Sequence, residues 1–542
     1  MKQRPLERAI RQACRAREER EILAFCARGV TQQVLSGNEL LAAAEAAAQQ
    51  LEPARGYCVV LVFPAGAPFI SLLLGCFLAG VTAIPVAPPR RGSVSTRLAH
   101  ICTEAAPVAV LCQQGLEDGL RMLLGEGAPP VVPFSGDIPL RVDGHTRPDM
   151  PQDTALIQYT SGSTMTPKGV LITGQNILEN CAAVQRAWGL DETARVVNWM
   201  PHFHDMGLIG GILCPLLSGG MSVQMSPFDF IRSPRLWLEV ISQWQADFSG
   251  GPASAFADVI RKVPQEALAG LDLSGWSRAY CGAEPIPPGL LEAFAGHLAP
   301  AGLRREAVFA CYGMAEITLF AAGARNTGLQ TPPGGAHGCW LSDEMRQQIV
   351  IMDAETGLPV EDGQQGEIWL GGPSQGSGYL SRPDLSAESF GHAVPGREGL
   401  FLRTGDIGHI LDGRLWISGR LKDVLFANGL TIPAAEVETL ACEGVPELNA
   451  MAAAAFMRDE NQSGEAVLLV ELIDSRCPVH SPDEARARMR NRILGEWGLT
   501  LSEIRFVGRG QLPKTTSGKV RRAHVAALFR KGDEAFAGGE QG

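Results

Sequence analysis

The stretch Tyr57–Pro89 reads YCVVLVFPAGAPFISLLLGCFLAGVTAIPVAPP and contains no charged residue. It is long enough to span a membrane. Prolines and glycines interrupt it early, however, and Gly80 separates the helix-length piece Phe69–Ala79 from the strand-like VTAIPV. Continuous apolar strands are typical of a parallel sheet whose two faces are covered by helices. We therefore predict a buried strand, a turn, a helix and a second strand, and no transmembrane segment.

The alternation of strands and helices continues beyond this stretch. Apolar runs at Ala106–Cys112 and Ala155–Thr160 alternate with helical stretches such as Ser233–Gln245. Such alternation indicates an α/β architecture with largely parallel sheets. From Ile349 onward the strands become shorter and glycine-rich turns separate them. The predicted fold class is α/β: a large amino-terminal domain of two α/β sheet subdomains plus a β-rich subdomain, followed by a small mobile α+β domain.

The length of the chain indicates more than one domain. A chain of 542 residues exceeds what one hydrophobic core usually organises. We place a large domain at residues 1–419 and a smaller one at 423–530. The smaller domain contains a predicted helix at Ala434–Cys442 and a predicted strand at Ala466–Ile473. Residues 531–542 are predicted to form a disordered tail.

Charge and cysteine usage exclude several classes of protein. Lys and Arg total 47 against 58 Asp and Glu, which gives a formal net charge of −11. Binding to a phosphate backbone requires a basic excess, so we expect no nucleic-acid partner. The 13 cysteines are scattered singly and no export signal is evident. We therefore expect a cytoplasmic protein with reduced thiols, most of them small core residues.

A polar loop follows the apolar strand ALIQ and reads YTSGSTMTPKGV, Tyr159–Val170. Hydroxyls and backbone N–H groups of such a loop can surround polyphosphate oxygens, and Lys168 adds a mobile positive charge. The order Lys-Gly-Val excludes a Walker A loop, which requires Gly-Lys-Ser/Thr. A flexible polar loop without a ligand is the alternative. The expected nucleotide contacts of this loop are Thr160, Ser161, Gly162, Ser163 and Thr164.

Further segments of the same kind follow: CGAEPI (Cys281–Ile286), CYGMAEIT (Cys311–Thr318), RTGDIG (Arg403–Gly408), GRLKDVLFANGLTIPAAEVE (Gly419–Glu438) and LPKTTSGKVRR (Leu512–Arg522). In order and spacing, these segments and the polar loop resemble the core motifs of the acyl-adenylate-forming superfamily, which includes acyl-CoA synthetases, peptide-synthetase adenylation domains and luciferases. The resemblance extends from about Tyr57 to Arg522. It implies an enzyme that uses ATP to convert a carboxylate into an acyl-adenylate and then passes the acyl group to a thiol.

The resemblance implies a role for each matching residue. Glu316 supplies a carboxylate for Mg²⁺, and the metal neutralises ATP oxygens during attack by the substrate carboxylate. Asp406 accepts hydrogen bonds from the ribose hydroxyls, with Arg420 close behind it. Tyr312 offers a flat face to adenine. The other nucleotide contacts implied by the resemblance are Gly282, Ala283, Glu284 and Gly313.

Lys519 is the catalytic residue that we predict for the first half-reaction, together with Lys168 of the polar loop. A cation near the α-phosphate and the attacking carboxylate stabilises charge at the reacting centre. A solvated basic tail is the alternative, because Lys514 and Arg521 are nearby in the sequence. In the family, the carboxy-terminal domain rotates between the half-reactions about a hinge that corresponds to Lys422. Rotation would withdraw Lys519 and admit the thiol.

The segment NWMPHFHDMGLIGGILCPLLSGGMSVQMSPFDFIRSPRLWLEVIS, Asn198–Ser242, resembles fatty-acyl-AMP ligases, which transfer the acyl group to the phosphopantetheine of an acyl carrier protein. His204 is expected to line the substrate pocket and is placed with the catalytic residues. His202 and His204 could instead bind a metal, but no other Cys/His cluster accompanies them. Asp205 could pair with the amino group of an amino-acid substrate, or cap a helix that starts at Met206.

Two departures from the family leave alternatives open. Met165 stands where the superfamily's phosphate loop has Gly. Fatty-acyl-AMP ligases also carry an insertion that disfavours coenzyme A, whereas only AAGARNTGLQTPPGGAHG separates Phe320 from Cys339 here. Our leading hypothesis is a fatty-acyl-AMP ligase that uses ATP and Mg²⁺ to load a fatty acid onto a separate acyl carrier protein. The alternatives are an acyl-CoA synthetase using coenzyme A, an amino-acid adenylation enzyme and a catalytically silent homologue.

Overall fold

The computed structural model describes residues 4–89, 96–134, 140, 142, 145, 147–160, 167–323, 337–427, 430–458, 465–515 and 518–532. The chain forms two compact units. The first contains the described residues up to Thr160, Pro167–Val350 and Trp369–Arg403, and the second contains Ile351–Ile368 and the described residues from Thr404. The predicted domain limits, 1–419 and 423–530, stay a prediction.

The first fifteen strands are β1 (Glu21–Ala27), β2 (Val30–Ser36), β3 (Cys58–Val62), β4 (Thr82–Val86), β5 (Ala109–Cys112), β6 (Val131–Pro133), β7 (Thr154–Thr160), β8 (Lys168–Thr173), β9 (Arg195–Asn198), β10 (Met221–Met225), β11 (Phe248–Pro252), β12 (Arg278–Gly282), β13 (Val308–Ala310), β14 (Tyr312–Gly313) and β15 (Phe320–Ala322).

The helices of the first unit are α1 (Pro5–Arg15), α2 (Gly37–Leu51), α3 (Ala67–Ala79), α4 (Thr96–Ala105), α5 (Glu117–Leu124), α6 (Gly174–Trp188), α7 (Cys214–Ser218), α8 (Pro227–Arg232), α9 (Arg235–Trp244), α10 (Ala253–Lys262), α11 (Leu290–Leu298), α12 (Asp343–Gln348) and α13 (Pro383–Ser389). A π-helix covers Met206–Leu213. Short 3₁₀ turns lie at Glu52–Ala54, Gln265–Leu268, Ala299–Ala301, Arg305–Ala307 and Ala315–Ile317.

Two mostly parallel sheets form the frame of the first unit. One has six strands in the order β6-β5-β3-β4-β7-β8, and only the β7–β8 pair is antiparallel. The other has seven strands in the order β13-β12-β11-β9-β10-β1-β2, and only the β1–β2 pair is antiparallel. The predicted pair of α/β sheets is confirmed.

The uncharged stretch Tyr57–Pro89 folds as predicted, into β3, α3 and β4. Every residue of α3 except Pro68, in its first turn, is buried, because neighbouring helices and the sheet cover the helix. Gly80 ends the helix in the left-handed conformation (φ 77°), and its N–H donates to the carbonyl of Cys76. Among the described residues, no helix has the length and apolar character that a membrane crossing requires.

The parallel strands direct the predicted site segments to the carboxyl edges of the two sheets. β7 leads into the polar loop, β9 into the His202–His204 segment, and β12 into Ala283. Two contacts join the sheets at these edges: Gln158 Nε2 donates to the carbonyl of Phe203 at 2.7 Å, and the rings of Phe69 and His202 lie 4.2 Å apart. In open α/β sheets, ligands bind outside the carboxyl ends of the strands.

The later strands are β16 (Cys339–Trp340), β17 (Ile349–Met352), β18 (Gly366–Gly371), β19 (Phe401–Leu411), β20 (Arg414–Arg420), β21 (Val424–Ala427), β22 (Leu430–Pro433), β23 (Leu448–Met457), β24 (Glu465–Leu472) and β25 (Thr500–Val507). The helices of the second unit are α14 (Ala434–Cys442), α15 (Pro482–Trp497) and α16 (Arg522–Arg530). The predicted helix Ala434–Cys442 and the predicted strand near Ala466–Ile473 are both present.

The second unit has its own core. β24 is the central strand of a three-stranded sheet, antiparallel to β23 and parallel to β25. Helices α14 and α15 cover one face, with Val437 and Met489 among the buried residues, and α16 covers the other with Val525. This α+β arrangement agrees with the prediction. From residue 533 onward the predicted tail lies outside the described residues.

The cysteines are free thiols, as expected. Cys311 is half-buried and Cys477 is exposed, and the remaining cysteines are buried. Burial raises the pKa of Cys112 to about 11, which keeps this thiol protonated at neutral pH. Their use as small core residues is confirmed.

The close packing of α2 on α3 gives a stability prediction. A Cβ atom at Gly75 would lie 2.6 Å from Cβ of Ala47, whereas one at Gly296, in α11, would meet nothing within 4 Å. We expect Gly75→Ala to destabilise the protein by about 1–3 kcal/mol through overpacking. Gly296→Ala should slightly raise stability, because alanine favours a helix. The midpoint of thermal unfolding measures both; a higher midpoint for Gly75→Ala would contradict the prediction.

Candidate functional site

The β7–β8 hairpin brings the two ends of the polar loop together. Thr160, the last residue of β7, is paired with Lys168, the first residue of β8. The Lys168 ammonium lies 4.8 Å from the centre of the Tyr379 ring, a cation–π distance. The other predicted loop contacts, Ser161, Gly162, Ser163 and Thr164, lie outside the described residues, as does Met165.

Glu316 lies in the 3₁₀ turn Ala315–Ile317, between the short strands β14 and β15. Its Oε1 accepts a hydrogen bond from the Tyr379 hydroxyl at 2.9 Å. Tyr379 therefore contacts both Lys168 and Glu316, two residues far apart in sequence. Tyr379 lies outside the quoted motifs, so no sequence signal marked it as a site residue.

The chain after Glu316 is strained. Thr318 has φ 70° and ψ −54°, and the N–H of Leu319 donates to the carbonyl of Ile317 at 2.9 Å. These values define a γ-turn with positive φ, which is rare and costly for a β-branched residue. The Thr318 hydroxyl donates to the carbonyl of Ser374 at 2.7 Å and so holds the turn. Strain of this kind often accompanies functional sites.

Asn180 supports the same turn from the interior of α6. Its side chain has no exposed surface. Nδ2 donates to the carbonyls of Ile317 and Phe320 at 3.0 and 2.9 Å, and Oδ1 accepts from the N–H of Phe320 at 3.1 Å. The amide therefore satisfies backbone groups that the γ-turn leaves without helical or sheet partners. The sequence alone gives no signal for this role.

Tyr312 and Gly313 form β14 and pair with β15. Tyr312 is half-exposed, so part of its ring is accessible. A Cβ atom at Gly313 would lie 1.7 Å from the carbonyl oxygen of Leu319, which leaves room only for glycine. Gly313 is therefore required because the chain passes close to it after Glu316.

The GAE segment follows the end of β12. Ala283 has φ 64°, an uncommon value for alanine. Glu284 Oε2 accepts from the N–H of Ser254 at 2.8 Å, in the first turn of α10. The residue before α10, Pro252, provides no side-chain cap, so Glu284, which follows β12, satisfies an N–H in the first turn of this helix. The structure thus gives Glu284 a structural contact in addition to the predicted proximity to adenine.

The His204–Asp205 pair lies at the start of the π-helix. The carboxylate of Asp205 is 2.6 Å from Nδ1 of His204, and it accepts from the N–H of Met206 at 2.7 Å. Asp205 therefore caps the helix that starts at Met206, as one of our alternatives predicts. The helix is wider than the expected α-helix, and π-helical turns occur frequently at functional sites.

His202 is buried against Phe69. Neither ring nitrogen has a described partner that meets hydrogen-bond geometry, although the backbone of Phe63 favours its protonated form. Burial lowers the pKa of His202 to about 4, so the ring is neutral at physiological pH. The described residues contain no group of three or more His, Cys, Asp or Glu that could hold a metal.

In the second unit, Asp406 and Arg420 face each other across β19 and β20. Nε of Arg420 donates to Oδ1 of Asp406 at 2.8 Å, and Asp406 is 6% exposed. The Asp406 N–H donates to the hydroxyl of Thr404 at 3.0 Å. The expected proximity of Arg420 to Asp406 is therefore seen as an ion pair, which fixes the orientation of this carboxylate.

Lys519 lies on a hairpin turn near the end of the second unit. The N–H of Thr515 donates to the carbonyl of Lys519 at 2.7 Å, and the N–H of Lys519 donates to the Thr515 hydroxyl at 3.1 Å. Lys519 is exposed. Lys514 donates to the fully buried Glu471 at 2.7 Å. This contact anchors the turn.

A second ion-pair cluster anchors the chain just after this turn. The Arg522 guanidinium donates to both carboxylate oxygens of Glu438 at 2.6 and 2.7 Å, and to Asp423 at 3.1 Å. Glu438 is buried, so its charge requires such a partner. Lys422, the predicted hinge residue, is exposed and adjacent to Asp423. The hinge role of Lys422 stays a prediction.

The buried His202 gives a prediction about pH. Its folded-state pKa of about 4 lies below the ordinary value of 6.5. Between these values the unfolded chain binds a proton that the folded protein does not, so lowering the pH through this window favours unfolding. We expect the stability of the native protein to fall relative to that of His202→Gln as the pH decreases from 6.5 to 4. Parallel thermal unfolding curves at all pH values would contradict this.

Comparison with known proteins identifies the family. A family model described as AMP-binding enzyme matches residues 10–380. A medium-chain-fatty-acid–[acyl-carrier-protein] ligase of Moorena producens is 32% identical over 534 residues, covering 92% of this chain and 90% of that one. A long-chain-fatty-acid–AMP ligase of Mycobacterium tuberculosis is 30% identical, covering 87% and 88%. A structure from studies of fatty acyl-adenylate ligases of E. coli and L. pneumophila superposes with a TM-score of 0.82 and 26% identity, over 98% of both chains. The chain therefore belongs to the AMP-binding enzyme family, as a relative of its fatty-acid ligases.

Proposed function

We propose that the protein activates a fatty acid as acyl-AMP, with release of pyrophosphate, and then transfers the acyl group to the phosphopantetheine thiol of an acyl carrier protein. The names of the relatives support both steps. The observation that carries the proposal is the contact of Tyr379 with both Lys168 and Glu316, because it gathers the phosphate-loop cation and the predicted metal carboxylate at one place in the first unit.

The reaction begins with two anions. A carboxylate oxygen of the fatty acid attacks the α-phosphorus of ATP, and the bond from that phosphorus to the bridging oxygen of pyrophosphate breaks. Cations must therefore reduce the repulsion between the reactants and stabilise the charge that develops on the leaving group. We assign Lys168 to the polyphosphate and Lys519 to the α-phosphate and the attacking carboxylate. In the second step the thiol sulfur bonds to the acyl carbon, AMP leaves, and the thiol proton is released.

Glu316 suits a divalent cation. Its Oε1 accepts from a neutral hydroxyl, so that contact leaves the negative charge of the carboxylate in place. Because no metal-holding group of three or more such side chains occurs in the described ranges, a Mg²⁺ ion would take most of its ligands from ATP oxygens and water. When bound, the ion would neutralise part of the negative charge of the polyphosphate.

We assign adenosine recognition to the residues that match the family's motifs. In the first unit these are Tyr312, for the adenine face, and the GAE segment. In the second unit the carboxylate of Asp406, oriented by Arg420, suits the two ribose hydroxyls because a carboxylate is an acceptor with two oxygens.

The fatty acid is favoured over an amino acid by the surroundings of Asp205. This carboxylate already caps the π-helix and contacts His204, so it has structural partners that an amino group would have to displace. Met206 and Leu208 of the π-helix are buried and apolar. We assign the π-helix segment, with His204 beside it, to the wall of the alkyl-chain pocket.

The short segment after Phe320 supports testing coenzyme A as a second acceptor. The N–H of Gly323 donates to the carbonyl of Trp340 at 3.1 Å, so the two ends of this segment are joined. Residues 324–336 lie outside the described residues. A fatty-acyl-CoA synthetase activity is the second candidate function.

The role of Lys519 is tested by removing its charge. Lys519→Ala is expected to slow pyrophosphate release by about 10²–10³-fold, because one preorganised charge contact at the reacting centre is lost. Lys531→Ala, at another exposed lysine of the same unit, is the matched control and should retain the native rate. Equal rates for Lys519→Ala and the native enzyme would refute the assigned role.

The acceptor is tested by competition. The enzyme is given ATP, Mg²⁺, a medium-chain or long-chain fatty acid, a holo carrier protein and coenzyme A together, and the thioesters are measured by mass spectrometry. We expect more thioester on the holo carrier protein than on coenzyme A. In a control reaction an apo carrier protein, which lacks the thiol, should receive no acyl group. Exclusive formation of acyl-CoA would overturn the second half of the proposed function and favour the synthetase.

A further inference from the structure

Tyr379 contacts two opposite charges without neutralising either. Its hydroxyl donates to Oε1 of Glu316 at 2.9 Å, and the ammonium of Lys168 lies 4.8 Å from the ring centre. A phenol can do both, because its hydroxyl is a neutral donor and its ring face attracts cations. We propose that Tyr379 is a positioning residue that sets the separation between the phosphate-loop lysine and the metal carboxylate. This inference rests on the proposed roles of Lys168 and Glu316.

The need for such a residue follows from electrostatics. Opposite charges in a partly dehydrated site attract strongly, and a direct ion pair between Lys168 and Glu316 would occupy the groups that polyphosphate and metal require. The Tyr379 ring beside Lys168 and its hydroxyl on Glu316 oppose that collapse. Neither phenylalanine nor leucine could reproduce both contacts.

The backbone around Tyr379 explains why the ring is held in place. Residues 377–380 are hydrogen-bonded to β8 through their main chain: the N–H of Ser377 donates to the carbonyl of Leu171, and that of Leu171 donates to the carbonyl of Gly378, at 2.8 and 2.9 Å. Tyr379 itself is bridged to Val170. The segment is thus fixed in register with the strand that begins at Lys168.

The same segment is hydrogen-bonded to the main chain of Glu316, the proposed metal ligand. The N–H of Gly376 donates to the carbonyl of Glu316 at 2.9 Å. Residues 376–379 therefore contact the Glu316 backbone at one end and its side chain at the other. Main-chain bonds of this kind leave Tyr379 little freedom relative to Glu316.

A partly buried polar network continues this segment toward Tyr159. Nε of Arg382 donates to Oε1 of Glu104 at 2.7 Å, and the Tyr159 hydroxyl donates to Oε2 of the same carboxylate at 2.9 Å. Tyr159 precedes Thr160, the last described residue before the loop. Residues 376–382 thus connect both flanks of the phosphate loop to Glu316.

The test compares Tyr379→Phe with Tyr379→Leu in the full-length enzyme. Tyr379→Phe keeps the ring beside Lys168 and loses only the hydrogen bond to Glu316. It should raise the Mg²⁺ concentration for half-maximal pyrophosphate release about tenfold, as expected when a bond to a charged group is lost. Its KM for ATP at saturating Mg²⁺ should change less than about twofold. Tyr379→Leu loses both contacts and should raise both the Mg²⁺ concentration for half-maximal pyrophosphate release and the KM for ATP.

A binding measurement separates positioning from a general loss of activity. Mn²⁺ affinity in the complex with a non-hydrolysable ATP analogue, followed by electron paramagnetic resonance, should fall in Tyr379→Phe by a similar factor. Phe390→Leu is the matched control, because Phe390 packs edge-on against the Tyr379 ring at 5.2 Å without a described contact to Glu316 or Lys168. It should lower the thermal midpoint while leaving Mn²⁺ affinity unchanged.

Glu316→Gln distinguishes failure of this inference from failure of the proposed function. Suppose that Glu316→Gln weakens Mn²⁺ binding, whereas Tyr379→Phe binds Mn²⁺ and responds to Mg²⁺ like the native enzyme. The positioning role of Tyr379 is then wrong, while the proposed function stands. If Glu316→Gln also leaves metal binding unchanged, the metal role of Glu316 is wrong and the proposed function needs a different site. We expect the double variant Glu316→Gln, Tyr379→Phe to bind Mn²⁺ as strongly as Glu316→Gln alone.

Discussion

The ladder of main-chain hydrogen bonds between β8 and residues 377–380 is the interaction on which the site in the first unit depends. β8 begins at Lys168, and the segment hydrogen-bonded to it carries Tyr379 and leads to Arg382. Backbone bonds are directional, and a shift of one residue in register would turn Tyr379 to the opposite face. The position of Lys168 relative to Glu316 is therefore set by hydrogen bonds between parts of the chain that are about two hundred residues apart in sequence.

The turn that carries Glu316 is costly, and its neighbours stabilise it. Positive φ at a β-branched residue costs about 1–3 kcal/mol, and Thr318 adopts it inside the protein. Asn180 satisfies three backbone groups around the turn, and the Thr318 hydroxyl is bonded to Ser374. Such bonds offset the strain because buried backbone groups without partners would cost more still. The result is a carboxylate on a rigid, non-repetitive turn between two short strands.

The second unit separates structural charges from the proposed catalytic charge. Glu471 and Glu438 are buried, and each has a cationic partner, Lys514 and Arg522 respectively. These pairs hold the two flanks of the turn, while Lys519 is exposed on it. Buried pairs add specificity of position rather than large net stability, because dehydration offsets much of their attraction.

The sequence by itself determined the α/β class, the β3–α3–β4 unit, the helix Ala434–Cys442 and the family, because apolar periodicity and motif spacing are local properties of the chain. It also predicted the cap at Asp205. It did not identify Tyr379, Asn180 or the Arg382–Glu104–Tyr159 network, nor the π-helical form of Met206–Leu213. These features depend on contacts between residues far apart in the chain, and such contacts leave no periodic or spacing signal. Only the tertiary structure decided which polar side chains meet, because a hydrogen bond depends on the final positions of both partners.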